Sequence, residues 1–415
     1  MKNNINLIKG THDLVGPDIV KYNYILENFK NICNQFSFKE IITPIIEQED
    51  LYVRGVGEMT DIVSKEMYTF LDQGDKKICL RPEATSGIAR FAASNYESGA
   101  MKLFTYGPMF RRERPQKGRY RQFYQAGVEI LGYPEGAPEF EMVSMVCSII
   151  EEFNIADCTL KINHLGNQDN KKAYCDALIK FLEPLKKNLD EKDLERLSRN
   201  PLRVLDSKNQ DTQLILKDAP SLKEFLETKS IELLEAIKDE FSDVCNIEID
   251  YTLVRGLDYY SGFVFEALSS NLGAQDSFLG GGRYDDLCSK LGGKDLPSIG
   301  MAIGIERFAS LVSDTTLSDK IVSFITLGSI LEPKTYKIAH RLRSLNKNII
   351  LDMQLSDSSL KAKLRRANKN NSEYAVIVGE EEFNNGTFII KPLKDELKEQ
   401  QTVSIDELFE FYKAL

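Results

Sequence analysis

The stretch MKLFTYGPMFRRERPQKGRYRQFYQAGVEILG, residues 101–132, decides how this chain is read. Two runs with strand character flank a loop dense in positive charge. Arg111, Arg112, Arg114, Lys117, Arg119 and Arg121 stand there against one acid, Glu113, in a chain whose net charge is −10. Guanidinium forks match phosphate oxygens, so such a loop can hold a polyphosphate. Arg111 closes the first run, and packing of that strand would fix it. In the second run alternate residues share a face, which sets Phe123, Gln125, Gly127, Glu129 and Leu131 on one side. A carboxylate between Val128 and Ile130 needs a partner if it is buried. The run therefore reads either as a plain sheet edge or as the floor of a site for a small polar substrate beside a phosphate clamp.

At 415 residues the chain is long enough for two or three domains. Its 42% hydrophobic and 28% charged residues are ordinary for a soluble globular protein. It has no long apolar run of membrane-spanning length and no apolar core in MKNNINLIKGTHDL, so neither a membrane span nor a signal peptide is expected, and the cytoplasm is the expected compartment. The seven cysteines form no CxxC pair and read as buried free thiols. His12, His164 and His340 show no metal-ligand spacing, so no zinc site is expected. The acidic balance argues against loose coating of nucleic acid. It leaves room for a specific RNA met by local basic patches: the 111–121 loop, and Lys361, Lys363, Arg365, Arg366 and Lys369.

Working outward, residues 18–36 have helical spacing, and FKEIITPII reads as a strand that Pro44 limits to an edge or an end. Residues 139–153 read as a helix and 158–166 as a strand. Residues 168–247 are charged, amphipathic and helical, which marks an inserted helical module because strand-like sequence resumes in IEIDYTLVRG and GFVFEAL. GGGRYDDL, beginning at Gly280, reads as a tight turn. LPSIGMAIGIERFASLV is a strand running into a helix. After the linker LVSDTTLSDK, strands and helices alternate, which predicts a small α/β domain with a largely parallel sheet and a last helix capped by Ser404 and Glu407.

Three further segments carry polar chemistry. In LRPEATSGIAR, an extended backbone would set Glu83 and Thr85 on one face to grip an ammonium group, whereas Pro82 and Ser86 favour a helix start. LVRGLDYYSG places Arg255, Asp258, Tyr259 and Tyr260 around Gly256. GMAIGIERF sets Arg307 at the opening of a helix and fits neither a P-loop nor a dinucleotide fingerprint.

Together these segments resemble the class II aminoacyl-tRNA synthetases, and specifically the histidine–tRNA ligase family of bacterial type. FKEIITPIIE, FRRE at 110–113 and GMAIGIER resemble the three class signatures, with Ala302 where the class often has Gly. LRPEATSG, RPQKGRYRQFYQ, LVRGLDYYSG, VGEMTDIVSKEMY and GGGRYDDL resemble the histidine-specific ones; Tyr124 stands for a frequent His and Ala84 for a frequent Gly. The resemblance implies an α+β catalytic core, an antiparallel sheet flanked by helices, in two parts (1–167 and 248–316). A helical insertion at 168–247 and a small α/β anticodon-binding domain at 321–415 complete it. It implies formation of histidyl-adenylate from L-histidine and ATP with Mg2+, then transfer to tRNA(His), in a homodimer. By the same resemblance Arg111 and Arg255 serve the reacting carboxylate and α-phosphate. Glu113 meets adenine and Phe123 stacks on it, while Arg119 and Arg307 hold the outer phosphates. Glu83, Thr85 and Gln125 hold the amino-acid end, with Glu129, Tyr259 and Tyr260 around the imidazole. Gln116 and Arg121 meet the acceptor end of the tRNA, and the basic run at 361–369 meets its anticodon side through phosphates. No metal bound by protein groups alone is implied. The alternative within the resemblance is a catalytically inactive histidine-sensing paralogue. Such paralogues lack the C-terminal domain and erode the ATP-binding residues, and this chain retains both.

Overall fold

The structure, a computed structural model, describes residues 5–58, 60–97, 99–114, 118–273, 276–313, 320–328, 332–355, 358–395 and 397–415. Gln116, Lys117 and most of the expected linker lie outside the described residues. The chain forms two compact units, Met1–Thr315 and Thr316–Leu415.

The first unit opens with α1 (Pro17–Gln35), started by a proline in its first turn and burying Ile25, Phe29, Ile32 and Cys33 on one stripe. The next stretch corrects the sequence reading. FKEIITPII is not one strand: it splits into β1 (Lys39–Glu40) and β2 (Ile46–Gln48), which belong to different sheets. Between them the backbone is held by a side chain. Buried Arg81 donates from Nη1 to the Thr43 carbonyl at 3.1 Å and from Nε to the Pro108 carbonyl at 3.0 Å. Pro44 has no N–H to offer a ladder, so the guanidinium replaces strand pairing there.

After α2 (Glu49–Tyr52) come β3 (Tyr68–Leu71) and β4 (Lys77–Leu80), which complete a three-stranded antiparallel sheet in the order β2-β4-β3. Helix α3 (Thr85–Asn95) leads into β5 (Met101–Phe110) and β6 (Gln122–Leu131), the expected hairpin, in register from Met101 opposite Leu131 to Phe110 opposite Gln122. Helix α4 (Ala137–Glu152) and β7 (Thr159–His164) follow.

The helical stretch contains α5 (Gln168–Leu182), α6 (Glu191–Arg199), α7 (Gln210–Leu216) and α8 (Thr228–Phe241) before β8 (Asn246–Ile249). It divides between two cores. Tyr174, Leu178, Leu197 and Leu222 share an apolar cluster with Tyr52, Ile88 and Tyr284. Leu234 and Ile237 of α8 instead join the cluster beneath the main sheet, with Ile162 and Ile247. The unit then closes with β9 (Phe263–Leu268), β10 (Ser277–Arg283), α9 (Leu287–Lys290), β11 (Ser298–Gly304) and α10 (Ile305–Ala309).

The main sheet has eight strands in the order β1-β5-β6-β11-β10-β9-β7-β8. Its centre is antiparallel, and only the edge pairs β1 with β5 and β7 with β8 are parallel. Ala126, Val128 and Ile130 face the core formed with α1 and α4, which frees the opposite face of β6. Here a second expectation fails. Gly280, Gly281 and Gly282 form no turn; they lie inside β10, paired on both sides. Their smallness serves close approach, described below.

Under the end of β10 sits a buried ion pair. Arg283 Nε donates to Glu139 Oε1 at 2.7 Å, and both side chains are almost wholly enclosed. Glu139 also accepts from the Gly136 N–H at 2.6 Å, closing the first turn of α4. Arg283 Nη1 also donates to Asp285 Oδ1 at 2.9 Å, so removing Glu139 leaves the buried cation one partner short. Glu139→Ala is expected to lower unfolding stability by about 3 kcal/mol in urea titration, the low end for breaking a buried pair.

The second unit contains β12 (Lys320–Thr326), α11 (Glu332–Leu345), β13 (Ile349–Met353), α12 (Leu360–Lys369), β14 (Tyr374–Val378), α13 (Glu380–Asn384), β15 (Thr387–Pro392), β16 (Gln401–Ser404) and α14 (Ile405–Ala414). The three expected strands are parallel, but β15 and β16 add an antiparallel edge, so the sheet is mixed. Ser404 and Glu407 form the expected capping box. The basic run on α12 is not all surface: Lys363 turns inward and donates to the Thr326 carbonyl at 2.7 Å, while Lys361, Arg365, Arg366 and Lys369 are exposed.

Candidate active site

The free face of β6, β10 and β11, the start of α3 and the loop around Arg255 enclose a cavity of about 300 Å³. It brings together Glu83, Thr85, Arg111, Glu113, Arg119, Phe123, Gln125, Glu129, Arg255, Tyr259, Tyr260 and Arg307. Arg121 is not among the lining residues. Its backbone bridges the loop, donating to the Gly10 carbonyl at 2.7 Å and accepting from the Arg111 N–H at 2.9 Å. Gln116 lies outside the described residues.

One end of the cavity is acidic and hydroxyl-rich. The helix start wins over the extended reading of LRPEATSG. Glu83 precedes α3 and its carboxylate accepts from the N–H groups of Thr85 at 2.6 Å and Ser86 at 2.9 Å, capping the helix. The helix then aims the Thr85 hydroxyl at Glu129 Oε1, 2.7 Å away. On the other carboxylate oxygen, the Tyr284 hydroxyl donates at 2.5 Å. Glu129 is buried, and burial pushes its carboxyl up to about 8 against the lowering effect of those two hydroxyls. Tyr259 packs between Tyr260 and Tyr284, tilted against the first and edge-on to the second, with ring centroids 4.7 and 5.6 Å away, and burial raises both Tyr259 and Tyr260 above the ordinary phenol range.

The other end is cationic. Arg111 is anchored by donation from Nε to the Pro82 carbonyl at 2.9 Å and lies over the Phe123 ring at 5.1 Å. Glu113 pairs with Arg119 at 3.1 Å and lies 3.9 Å from Arg111. Arg307 donates to the carbonyls of Gly118 at 3.1 Å and Ser277 at 3.0 Å, so it ties the charged loop to β10. Between the two ends, Arg255 Nη1 binds Glu266 Oε1 at 2.5 Å.

Glycines in the strands make this arrangement fit. A Cβ at Gly280 would fall inside the Arg255 guanidinium, and one at Gly300 inside the Glu129 carboxylate. At those two positions the floor of the cavity is therefore bare backbone.

Sequence reasoning missed Tyr284, Glu266 and Glu306. Tyr284 and Gly280 share a parity once β10 is known to be a strand, and Glu266 pairs with Gly280 across β9; reading the glycines as a turn hid both. Glu306 opens α10 and accepts from the Tyr124 N–H at 2.9 and 3.1 Å. Burial pushes its carboxyl up to about 7. Tyr124 itself points away from the cavity, its ring 4.9 Å from Tyr22.

Comparison with known proteins covers the same stretch of chain. The family model described as histidyl-tRNA synthetase matches residues 10–308. The chain belongs to that family. A second model, an anticodon binding domain, matches residues 322–415. A histidine–tRNA ligase of Francisella philomiragia is 37% identical over 99% of this chain and 99% of its own length. One from Neorickettsia sennetsu is 39% identical over 99% and 98%. Among solved structures, apo S. aureus histidyl-tRNA synthetase superposes with a TM-score of 0.80 at 29% identity, covering 99% of this chain and 100% of that one. The family match thus spans the whole cavity, and the second match spans the C-terminal unit.

Proposed function

We propose that this chain attaches L-histidine to tRNA(His) at the expense of ATP, through a histidyl-adenylate. The observation that carries the reading is the single cavity in which a buried, hydroxyl-bonded carboxylate and a set of fixed arginines face each other on a chain of this family. The acidic end takes the amino acid. Glu129 accepts the imidazole N–H, with Tyr259, Tyr260 and Tyr284 closing around the ring, and Glu83, Thr85 and Gln125 receive the ammonium side. A site of buried polar partners rejects analogues that cannot satisfy them.

The cationic end takes the nucleotide. Phe123 offers a face for adenine, and Glu113 accepts from its amino group. Arg119 and Arg307 hold the outer phosphates. Arg111 and Arg255 lie between the two ends, where the histidine carboxylate attacks the α-phosphorus and pyrophosphate departs in line. Charge gathers on phosphate oxygens in that step, and preplaced cations stabilise it without reorganisation. Glu113 and Glu266 hold these arginines before the triphosphate arrives and give way to it. Mg2+ enters as part of the nucleotide substrate, on phosphate oxygens. Among the described residues no cluster of three acidic, histidine or cysteine side chains is arranged to hold a metal.

In the second step histidine passes to the terminal adenosine of the tRNA. The loop carrying Gln116 and Arg121 meets the acceptor end. The exposed cations of α12, without inward-facing Lys363, serve the anticodon side through phosphates. We place the protein in the cytoplasm as a homodimer. No described helix is long and apolar enough to cross a membrane. The exposed Ile46 and Phe70 share one face of the small sheet, and the exposed Ile42 and Ile45 lie just before it on the chain; together they supply apolar surface for a second copy.

Pyrophosphate exchange into ATP, run with each standard amino acid in turn, tests the reading. Exchange with histidine alone is the expected result. Histidine binding without exchange would favour the sensing paralogue, and exchange with another amino acid would overturn the pocket assignment.

A further inference from the structure

Strands β7 and β8 bound the α5–α8 segment: the chain leaves the sheet after one and returns on the other. They pair in parallel, with Thr159 opposite Asn246 and Ile162 opposite Ile249. Asn246 Nδ2 donates to Thr159 Oγ1 at 2.9 Å, which fixes this end of the ladder. Immediately before the two strands stand Cys158 and Cys245. Paired strands run about 4.8 Å apart, within the roughly 4.4–6.8 Å Cα separation a disulfide spans. Both cysteines share the parity of inward residues, since Leu160 and Ile247 lie in the apolar cluster beneath the sheet. Cys147 of α4 joins Cys245 in that cluster, and Cys158 packs at its rim, partly exposed. All are free thiols.

We propose that Cys158 and Cys245 are an oxidisable thiol pair, which hydrogen peroxide converts to a disulfide that fastens the base of the α5–α8 segment.

The surroundings define the chemistry. The Cys245 thiol donates to the Asn246 carbonyl at 3.7 Å, and the sulfurs of Cys147 and Cys158 face it closely enough to hold its ionisation below the usual range and push their own up. Cys245, the sulfur that both others face, is the nucleophile. Glu151 and Asp243 act on Cys147, and Asp157 acts on Cys158, as nearby negative charges. They repel anionic oxidants such as glutathione disulfide and leave access to small neutral ones. The Cys245 thiolate attacks a peroxide oxygen, the O–O bond breaks, and the hydroxide released takes a proton to become water. Cys158 then attacks the resulting sulfenic sulfur, the S–O bond breaks, and a second water leaves. Two thiols lose two electrons and two protons, and one peroxide becomes two waters.

The test uses the full chain, treated with hydrogen peroxide, quenched with an alkylating agent and digested without reductant. A linked peptide joining Cys158 to Cys245 is expected, reversed by dithiothreitol. The oxidised protein should unfold at a higher temperature than the reduced one and keep its pyrophosphate-exchange rate, since the pair lies beneath the sheet and not in the cavity. In Cys158→Ser the reaction should stop at a Cys245 sulfenic acid that dimedone traps. Cys245 reacting no faster than Cys33, Cys79 or Cys288 would overturn the proposal, as would a Cys147–Cys245 link in place of the expected one. So would a wild-type thermal transition unmoved by oxidation.

Discussion

Arg255→Ala is expected to slow pyrophosphate exchange by about 10²–10³-fold, the usual loss when one preplaced charge-stabilising group is removed. The guanidinium reaches the cavity over Gly280, and its partner there is Glu266 at 2.5 Å. Alanine removes a cation and exposes an acid. The triphosphate then meets the uncompensated Glu266 carboxylate, so part of the loss is repulsion and not missing attraction. The double variant Arg255→Ala, Glu266→Gln should therefore recover part of the rate, a coupling that a double-mutant cycle measures. Thermal unfolding of the single variant should stay close to wild type, because the segment around Arg255 contributes no strand to the sheet. Near-normal exchange by Arg255→Ala would remove its assigned role.

Glu129→Gln is expected to weaken histidine binding by about 10–100-fold, the worth, at roughly 1.5–3 kcal/mol, of the charge-assisted hydrogen bond formed when the imidazole takes up the Glu129 proton, with little change in ATP binding. Comparable losses for the two ligands would contradict the placing of the imidazole. The same variant carries a pH signature. Burial raises the Glu129 carboxyl from 4.5 to about 8. A raised carboxyl favours the folded state while protonated, so its contribution is whole below about 4.5 and is lost as pH rises through about 8. Glutamine does not titrate. The ligand-free wild type should accordingly lose stability relative to Glu129→Gln across that window, read as diverging melting temperatures; parallel curves would show that Glu129 ionises freely.

What could be read from the chain followed the range of the forces involved. Alternation along 122–131 was legible because strand parity is local, and it sorted Glu129 from Val128 and Ile130 correctly. The Ser404 cap was legible for the same reason. The glycines at 280–282 were not. A turn and a crowded strand place the same demand on a glycine, and only the arrival of Arg255 from another segment separates them. Tyr284 and Glu266 were lost with that misreading. In FKEIITPII, local β-propensity was overruled by Arg81 from a distant strand. Lys363 shows the limit of composition: a cation in a basic run reads as part of an RNA-facing patch, yet it satisfies a buried carbonyl of β12. The ligand roles of Glu83, Phe123 and Arg119 came from resemblance to a family. No pattern of spacing supplied them.

The bare backbone beneath Glu129 and Arg255 limits redesign. A surface made of side chains can be trimmed or enlarged one methylene at a time, but at Gly280 and Gly300 even a methyl group would displace a functional charge. Attempts to make this protein accept a different amino acid will have to work through the tyrosine and threonine walls, where there are atoms to exchange.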